Sequence, residues 1–169
     1  MGIKLLGCGL LLLAGGYLST VLTQTERRRV RVLDGFLSLL CYIKGQIDCY
    51  AMPIQDILMG VDRSVLAACR GFSEDEATRV SHAVAPVTDV PALIKESRVY
   101  LETESERLLM AFSSELGGTF REEQVKRCEY YLEALGNERN KLAEALPARI
   151  RTGGVLCMCG ALGLLVLLW

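Results

Sequence analysis

The chain has 169 residues, of which 51% are hydrophobic, and it carries 19 lysines and arginines against 20 aspartates and glutamates. This length suits one modest domain, since a domain usually takes about 100 to 200 residues, and it excludes a multi-domain enzyme. The net charge of −1 argues against a nucleic-acid-binding protein, because such proteins usually carry a strong basic excess on one face.

Both ends of the chain lack charged residues over lengths close to a membrane span. Leu5–Leu22 has 18 residues and Gly153–Trp169 has 17. At a helical rise of about 1.5 Å per residue, each approaches the roughly 30 Å hydrocarbon core of a bilayer. We therefore predict transmembrane helices at residues 5–22 and 153–169. A cleaved signal peptide or lipidation at Cys8 is a weaker alternative, because the apolar run continues towards Arg27 and little of it precedes Cys8.

Arginines on the inner flanks of these segments predict the topology. Arg27, Arg28, Arg29 and Arg31 follow the first segment, and two more arginines precede the second. The positive-inside rule then places residues 23–152 in the cytoplasm and both termini on the opposite side. The expected localisation is the cell membrane, as a two-pass protein.

Small residues recur every four positions in the two end segments. This spacing permits close packing between membrane helices, although small residues are common in such helices anyway. The residues that we assign to this packing are Gly15, Ser19, Gly153, Cys157 and Ala161.

Residues 23–152 show the period of helices. Apolar residues recur every three or four positions, and no alternating apolar and polar pattern indicates a strand. Ser73 with Glu76, and Thr119 with Glu122, have the spacing of a capping box, which opens a helix. With Pro53, Gly60 and the other glycines and prolines as boundaries, we predict helices at residues 26–50, 53–59, 63–70, 73–85, 90–116 and 119–150.

The predicted fold is therefore all-α, with a six-helix cytoplasmic bundle at residues 23–152 between an N-terminal and a C-terminal transmembrane helix. The first and last helices of the bundle are expected to run antiparallel. On the last helix, Glu122 with Lys126 and Glu123 with Arg127 have the spacing of surface ion pairs.

No motif for catalysis, cofactor binding or metal binding is evident. His82 is the sole histidine and has no identifiable partner, and the seven cysteines lack the paired spacing of a metal site. The carboxylates Glu96, Glu102, Glu104 and Glu106 fit a solvated helix surface better than a catalytic cluster. We predict no enzyme activity, no cofactor and no metal.

The order of features along nearly the whole chain resembles the stage III sporulation protein AB family of endospore-forming bacteria. An arginine-rich start and a leucine-patterned helix lead into Ile47–Leu58, and later Leu116–Thr119 forms a Leu-Gly turn followed by a helix with Gln124. A charged stretch then runs into a final segment rich in glycine and leucine. Residues 146–149 depart from the family pattern, and residues 72–106 match it poorly.

The resemblance implies a non-enzymatic membrane platform in a channel or secretion-like apparatus on the mother-cell side. The family's cytoplasmic domain is similar to the helical domain of the type II secretion platform protein F, and its operon partner AA resembles a secretion ATPase. The implied partners are this AA-type ATPase, the other membrane components of the sporulation channel and the lipid bilayer. Homo-oligomerisation is left open, and no nucleic acid is expected.

Two turns are the candidate partner-facing sites under this hypothesis. Their residues are Met52, Pro53, Ile54, Leu116, Gly117 and Thr119. Turn geometry and core packing also explain these residue types without any partner. The alternative function, from another class, is a membrane-tethered helical adaptor or sensor unrelated to secretion.

Overall fold

The computed structural model describes residues 2–50, 53–73, 75, 76, 79, 89–117 and 120–168, except for the side chains of residues 2–13, 161, 162 and 164–168. No strand occurs among these residues, so the all-α prediction is confirmed for them. The described elements are α1 (Gly2–Tyr50), α2 (Ile54–Met59), α3 (Arg63–Cys69), α4 (Val90–Ser97), a 3₁₀ helix (Arg98–Tyr100), α5 (Thr103–Glu115) and α6 (Arg121–Leu168).

Local capping explains where the shorter helices begin. Asp62 precedes α3, and its Oδ1 atom accepts a hydrogen bond from the Ser64 N–H at 2.8 Å. The capping box predicted at Ser73 is confirmed, because the Ser73 N–H donates to Glu76 Oε2 at 2.9 Å and the Glu76 N–H donates to Ser73 Oγ at 3.3 Å. Of the helix predicted there, the residues after Ser73 that the structure describes, 75, 76 and 79, are helical.

The single helix predicted at residues 90–116 is wrong, because the chain forms α4, the 3₁₀ helix and α5 instead. Buried Ser97 ends α4, and its Oγ lies 2.7 Å from the carbonyl oxygen of Cys69 and 2.8 Å from that of Leu93. Leu101 and Glu102 are then extended, with ψ of 138° and 156°. A tertiary hydrogen bond to the end of α3 thus accompanies the break, and no glycine or proline marks it.

The structure divides into two compact units, of which Arg28–Leu142 is the larger. Within this unit α1 and α6 run antiparallel, as predicted. Three ion pairs show it, because the α6 residue number falls as the α1 residue number rises: Asp34–Arg139 at 2.8 Å, Lys44–Glu129 at 2.7 Å and Asp48–Arg121 at 3.1 Å.

One apolar core fills the larger unit. Burying a large aliphatic or aromatic side chain stabilises a fold by about 1.5 to 3 kcal/mol, so these residues dominate the stability. The largest fully buried side chains come from α1 to α6, with none from the 3₁₀ helix: Leu33, Phe36, Leu39, Leu40, Ile43, Ile57, Leu66, Leu93, Ile94, Leu109, Phe112 and Leu135.

Gly35 lets α1 approach the end of α3 closely. A Cβ atom on Gly35 would lie 2.5 Å from the backbone nitrogen of Cys69 and 2.7 Å from the carbonyl carbon of Ala68. These are backbone atoms that cannot rotate away, so any larger residue would force the two helices apart.

The second unit comprises the described parts of Met1–Arg27 and Ala143–Trp169. Here the chain ends also pair as antiparallel helices, because Glu26 lies 3.6 Å from Arg149 and the Ser19 Oγ atom lies 3.5 Å from where a Cβ atom on Gly154 would stand. α6 contains Pro147 and is helical on both sides of it.

The predicted membrane crossing is not found. Among the residues open to description, no helix contains a segment that is both long enough and apolar enough to cross a membrane. In the described part of the first end segment, Gly15, Gly16, Ser19 and Thr20 lower the mean hydropathy, and α1 then continues into its arginines. The predicted localisation was a two-pass cell-membrane protein with a cytoplasmic middle and both termini on the opposite side. On this finding that prediction is wrong.

Candidate docking surface

The two turns that the sequence singled out lie against each other in the larger unit. Ile54 begins α2, and Gly117 follows α5. The Ile54 Cδ1 atom lies 2.9 Å from the position that a Cβ atom on Gly117 would take. The structure therefore brings Ile54 and Gly117 together, while Met52 and Thr119 lie outside the described residues.

Backbone geometry explains the residue types at both turns. The Pro53 carbonyl accepts hydrogen bonds from the N–H groups of Asp56 at 3.0 Å and Ile57 at 3.1 Å, which starts α2. Gly117 has a φ of +95°, a left-handed conformation that glycine adopts without strain. Leu116 is half-buried and packs against the core. The structural explanation for these residues therefore holds whether or not a partner binds.

One exposed aromatic residue that was not among the predicted site residues, Tyr50, precedes Pro53 by three positions in the sequence. Tyr50 is the last residue of α1 and its side chain is 69% exposed. Exposed aromatic side chains often mark interaction sites, because they offer a large apolar area at low entropic cost. We define the turn surface as Tyr50, Pro53, Ile54, Leu116 and Gly117. The available signal was a tyrosine three residues after Ile47, where the apolar stripe of α1 reaches the end of the helix.

The residues assigned to helix packing lie in the smaller unit, and the structure describes the side chains of all of them except Ala161. Ser19 faces Gly154, the neighbour of the predicted Gly153, and a Cβ atom on Gly153 would meet nothing within 4 Å. Cys157 is half-buried, Gly15 is half-exposed, and the side chain of Ala161 lies outside the described residues.

The carboxylates that might have formed a catalytic cluster are dispersed over ion pairs. Each one contacts a different arginine, so no two share a proton or a site. The arginine on Glu104 lowers the pKa of its carboxyl, as expected for a solvated pair. The pairs are Arg70–Glu96 at 2.7 Å, Arg29–Glu102 at 3.9 Å, Arg107–Glu104 at 3.0 Å and Arg98–Glu106 at 2.9 Å.

The buried cysteines of the larger unit are poor candidates for nucleophiles. Cys69 and Cys128 are buried, and burial raises the pKa of both thiols, which keeps them neutral and unreactive. Cys41 and Cys49 are exposed on α1. Within the described ranges no three histidine, cysteine, aspartate or glutamate side chains come together as metal ligands, and His82 lies outside those ranges.

Comparison with known proteins identifies the family. The family model of stage III sporulation protein AB matches residues 4–169. No curated protein matches the chain, and no solved structure matches it. The resemblance inferred from the order of sequence features is confirmed, and with it a role in stage III sporulation. Because the match covers nearly the whole chain, this protein belongs to the stage III sporulation protein AB family.

Proposed function

We propose that this chain is a non-enzymatic docking subunit for a secretion-type ATPase in stage III sporulation. The observation that carries the proposal is the contact between Ile54 and Gly117. It joins two turns from distant parts of the sequence, and exposed Tyr50 stands three positions before Pro53.

The larger unit supports this surface on ordered helices. α1 and α6 pack antiparallel, and the pair Asp48–Arg121 ties the end of α1 to the start of α6. Arg121 also donates a hydrogen bond to the Asp48 carbonyl oxygen. A surface that is held in place before binding loses little conformational entropy when a partner arrives, which favours affinity.

The platform role is the second part of the proposal. In it, the ATPase binds the turn surface, and the chain couples the ATPase to the other components of a secretion-like apparatus, in the manner of the type II secretion platform protein F. What supports this role is the turn surface itself, which combines apolar and polar groups where helices begin and end, as interfaces between proteins often do.

Site-specific photo-crosslinking in sporulating cells tests the docking step. A photoreactive amino acid at position 50 should capture the AA-type ATPase. Val99 is the matched control, since it is an apolar residue of similar exposure (76%) beside Tyr100. Tyr100 bonds to Arg28, which lies 22 residues before Tyr50 on α1, or about 33 Å along the helix. Equal capture from both positions, or capture of no ATPase from position 50, would refute the proposal.

A binding measurement with purified proteins provides an independent check. Tyr50→Asp should weaken ATPase binding by about tenfold or more, because an interfacial tyrosine often carries 2 kcal/mol or more of binding energy. Val99→Asp should leave the affinity unchanged. Circular dichroism and thermal unfolding of both variants verify that each remains folded.

A further inference from the structure

An open groove of about 860 Å³ runs along the first turns of α6. Its charged lining consists of Asp48, Arg121, Glu122, Lys126 and Glu129, and Phe120 lies among them. Phe120 is 88% exposed, the highest exposure among the large hydrophobic side chains described in the larger unit. The groove therefore combines an unburied aromatic ring with charges of both signs.

Two of these charges have no ionic partner among the residues that the structure describes. Arg121 pairs with Asp48, and Glu129 pairs with Lys44. Glu122 and Lys126 are one helical turn apart, which predicts an ion pair between them, yet neither forms an ion pair with any residue that the structure describes. Glu123 and Arg127, with the same spacing on the adjacent face, do pair at 2.7 Å.

The charges of the groove indicate which kind of partner could bind in it. Asp48, Glu122 and Glu129 are balanced by Lys44, Arg121 and Lys126, so the groove and its rim carry no net charge. A partner of one sign, such as a nucleic acid or a strongly acidic peptide, gains nothing from such a surface. A second groove of the same pattern meets it without net repulsion.

We propose that this groove binds the same groove of a second copy of the chain. The two α6 helices would cross antiparallel, with a two-fold axis between Glu122 and Lys126. In a two-fold interface, if residue i contacts residue j of the other copy, then j also contacts i. Glu122 of each copy then faces Lys126 of the other, so two equivalent ion pairs form, and the Phe120 rings become buried at the edge of the contact.

This inference goes beyond the proposed function, and its test changes Glu122, Lys126 and Phe120, which the docking proposal does not use. None of the turn-surface residues lines the groove. Self-association can therefore be measured on the pure protein without any ATPase, and failure of one proposal leaves the other to be decided by its own experiment.

Analytical ultracentrifugation of the purified full chain, kept reduced because Cys41 and Cys49 are exposed, tests the proposal. Wild-type chain should dimerise reversibly. Glu122→Lys alone and Lys126→Glu alone should each weaken the dimer about tenfold or more, since each places like charges opposite one another twice. The double variant Glu122→Lys with Lys126→Glu should restore dimerisation to within about threefold of wild type, because the signs are exchanged but remain complementary.

Matched controls separate this interface from other causes. Lys95→Glu makes the same charge change as Lys126→Glu at an exposed position on α4, and it should leave the dimer unchanged. Phe120→Ser should weaken the dimer without affecting stability, because the ring is exposed in the single chain. A monomer at all concentrations, or a dimer that tolerates both single reversals, would overturn the proposal.

A carbodiimide crosslink gives a structural readout of the same contact. The reagent joins a carboxylate to an amine only when they are in direct contact, so it should link Glu122 to Lys126. In a mixture of ¹⁴N- and ¹⁵N-labelled chains that have exchanged partners, linked pairs that join one ¹⁴N peptide to one ¹⁵N peptide should appear beside the single-isotope pairs. Links confined to peptides of a single isotope would contradict the two-fold arrangement.

Discussion

Arg139 on α6 holds Asp34 on α1 through two contacts, although the two residues are 105 positions apart in the sequence. The Arg139 Nε atom lies 2.8 Å from Asp34 Oδ1, and Nη2 lies 3.5 Å from Oδ2. The hydrogen bond that Arg139 donates to Asp34 raises the pKa of Arg139, so the guanidinium stays charged. With Lys44–Glu129 further along the helices, this pair fixes the register between α1 and α6.

Asp34→Ala and Arg139→Ala, made singly and together, measure the strength of this pair. Both side chains are partly exposed, so we expect a coupling energy of only about 0.5 to 1 kcal/mol in a double-mutant cycle. The coupling should decrease as salt is added, because exposed charges are screened. Urea unfolding at low and high salt gives both values, and a coupling of zero at low salt would show that the pair does not stabilise the register.

Gly35→Ala should destabilise the larger unit by about 1 to 3 kcal/mol or more. The added methyl group would lie within 3.0 Å of three backbone atoms of Ala68 and Cys69, so α1 and α3 must separate. Gly45→Ala is the matched control on the same helix, because its Cβ atom meets nothing within 4 Å. There we expect a gain of about 0.5 to 1 kcal/mol from helix propensity. Thermal unfolding of both variants should therefore show shifts of opposite sign.

Gly117→Ala should also lower the free energy of unfolding, by about 1 to 2 kcal/mol, from two separable causes. One is the φ of +95°, and the other is the 2.9 Å approach of the Ile54 Cδ1 atom to the new methyl group. Ile54→Val removes that atom. The double variant should therefore be more stable than the sum of the two single losses predicts, and strict additivity would show that the contact contributes nothing.

The capping box at Ser73 and Glu76 should make stability depend on pH. Hydrogen bonds from Ser73 hold the pKa of the Glu76 carboxyl below its usual range near about 4.3. A lowered folded-state pKa means that this contribution is complete above the unfolded-state pKa and is lost as the pH falls through the folded-state value. Denaturant unfolding between about pH 2 and 6 should show a flatter pH dependence for Glu76→Gln than for wild type. The same pH dependence for both proteins would contradict this prediction.

Features that depend on neighbouring residues in the chain were readable from the sequence. Ser73 and Glu76 carry the chemical pattern of a capping box, and the structure forms both of its hydrogen bonds. Asp62, a residue type that favours the N-cap, caps α3, and Gly71, with a φ of +85°, follows its end. The antiparallel order of α1 and α6 followed from connectivity.

Features that depend on distant residues were not readable. Gly35 and Gly45 look alike in the sequence, yet only Gly35 touches α3. The break after Ser97 accompanies a bond to the Cys69 carbonyl, 28 residues away. At the candidate site, the sequence selected Ile54 and Gly117 separately, but the contact between them arises only from tertiary packing. Periodicity identifies which face is apolar but not what that face meets.

The antiparallel pairing of α1 with α6 also has a consequence for synthesis on the ribosome. α1 supplies the largest share of the buried side chains, and its partners Leu135 and Leu142 lie near the end of the larger unit. Translation proceeds at about 5 to 20 residues per second, so several seconds pass between the synthesis of the apolar stripe of α1 and that of α6. During that interval α2 and α3 are the nearest cover for α1. Because α3 packs closely against α1 at Gly35, it can cover part of the apolar stripe early in synthesis. This contact shortens the time during which the exposed stripe can aggregate.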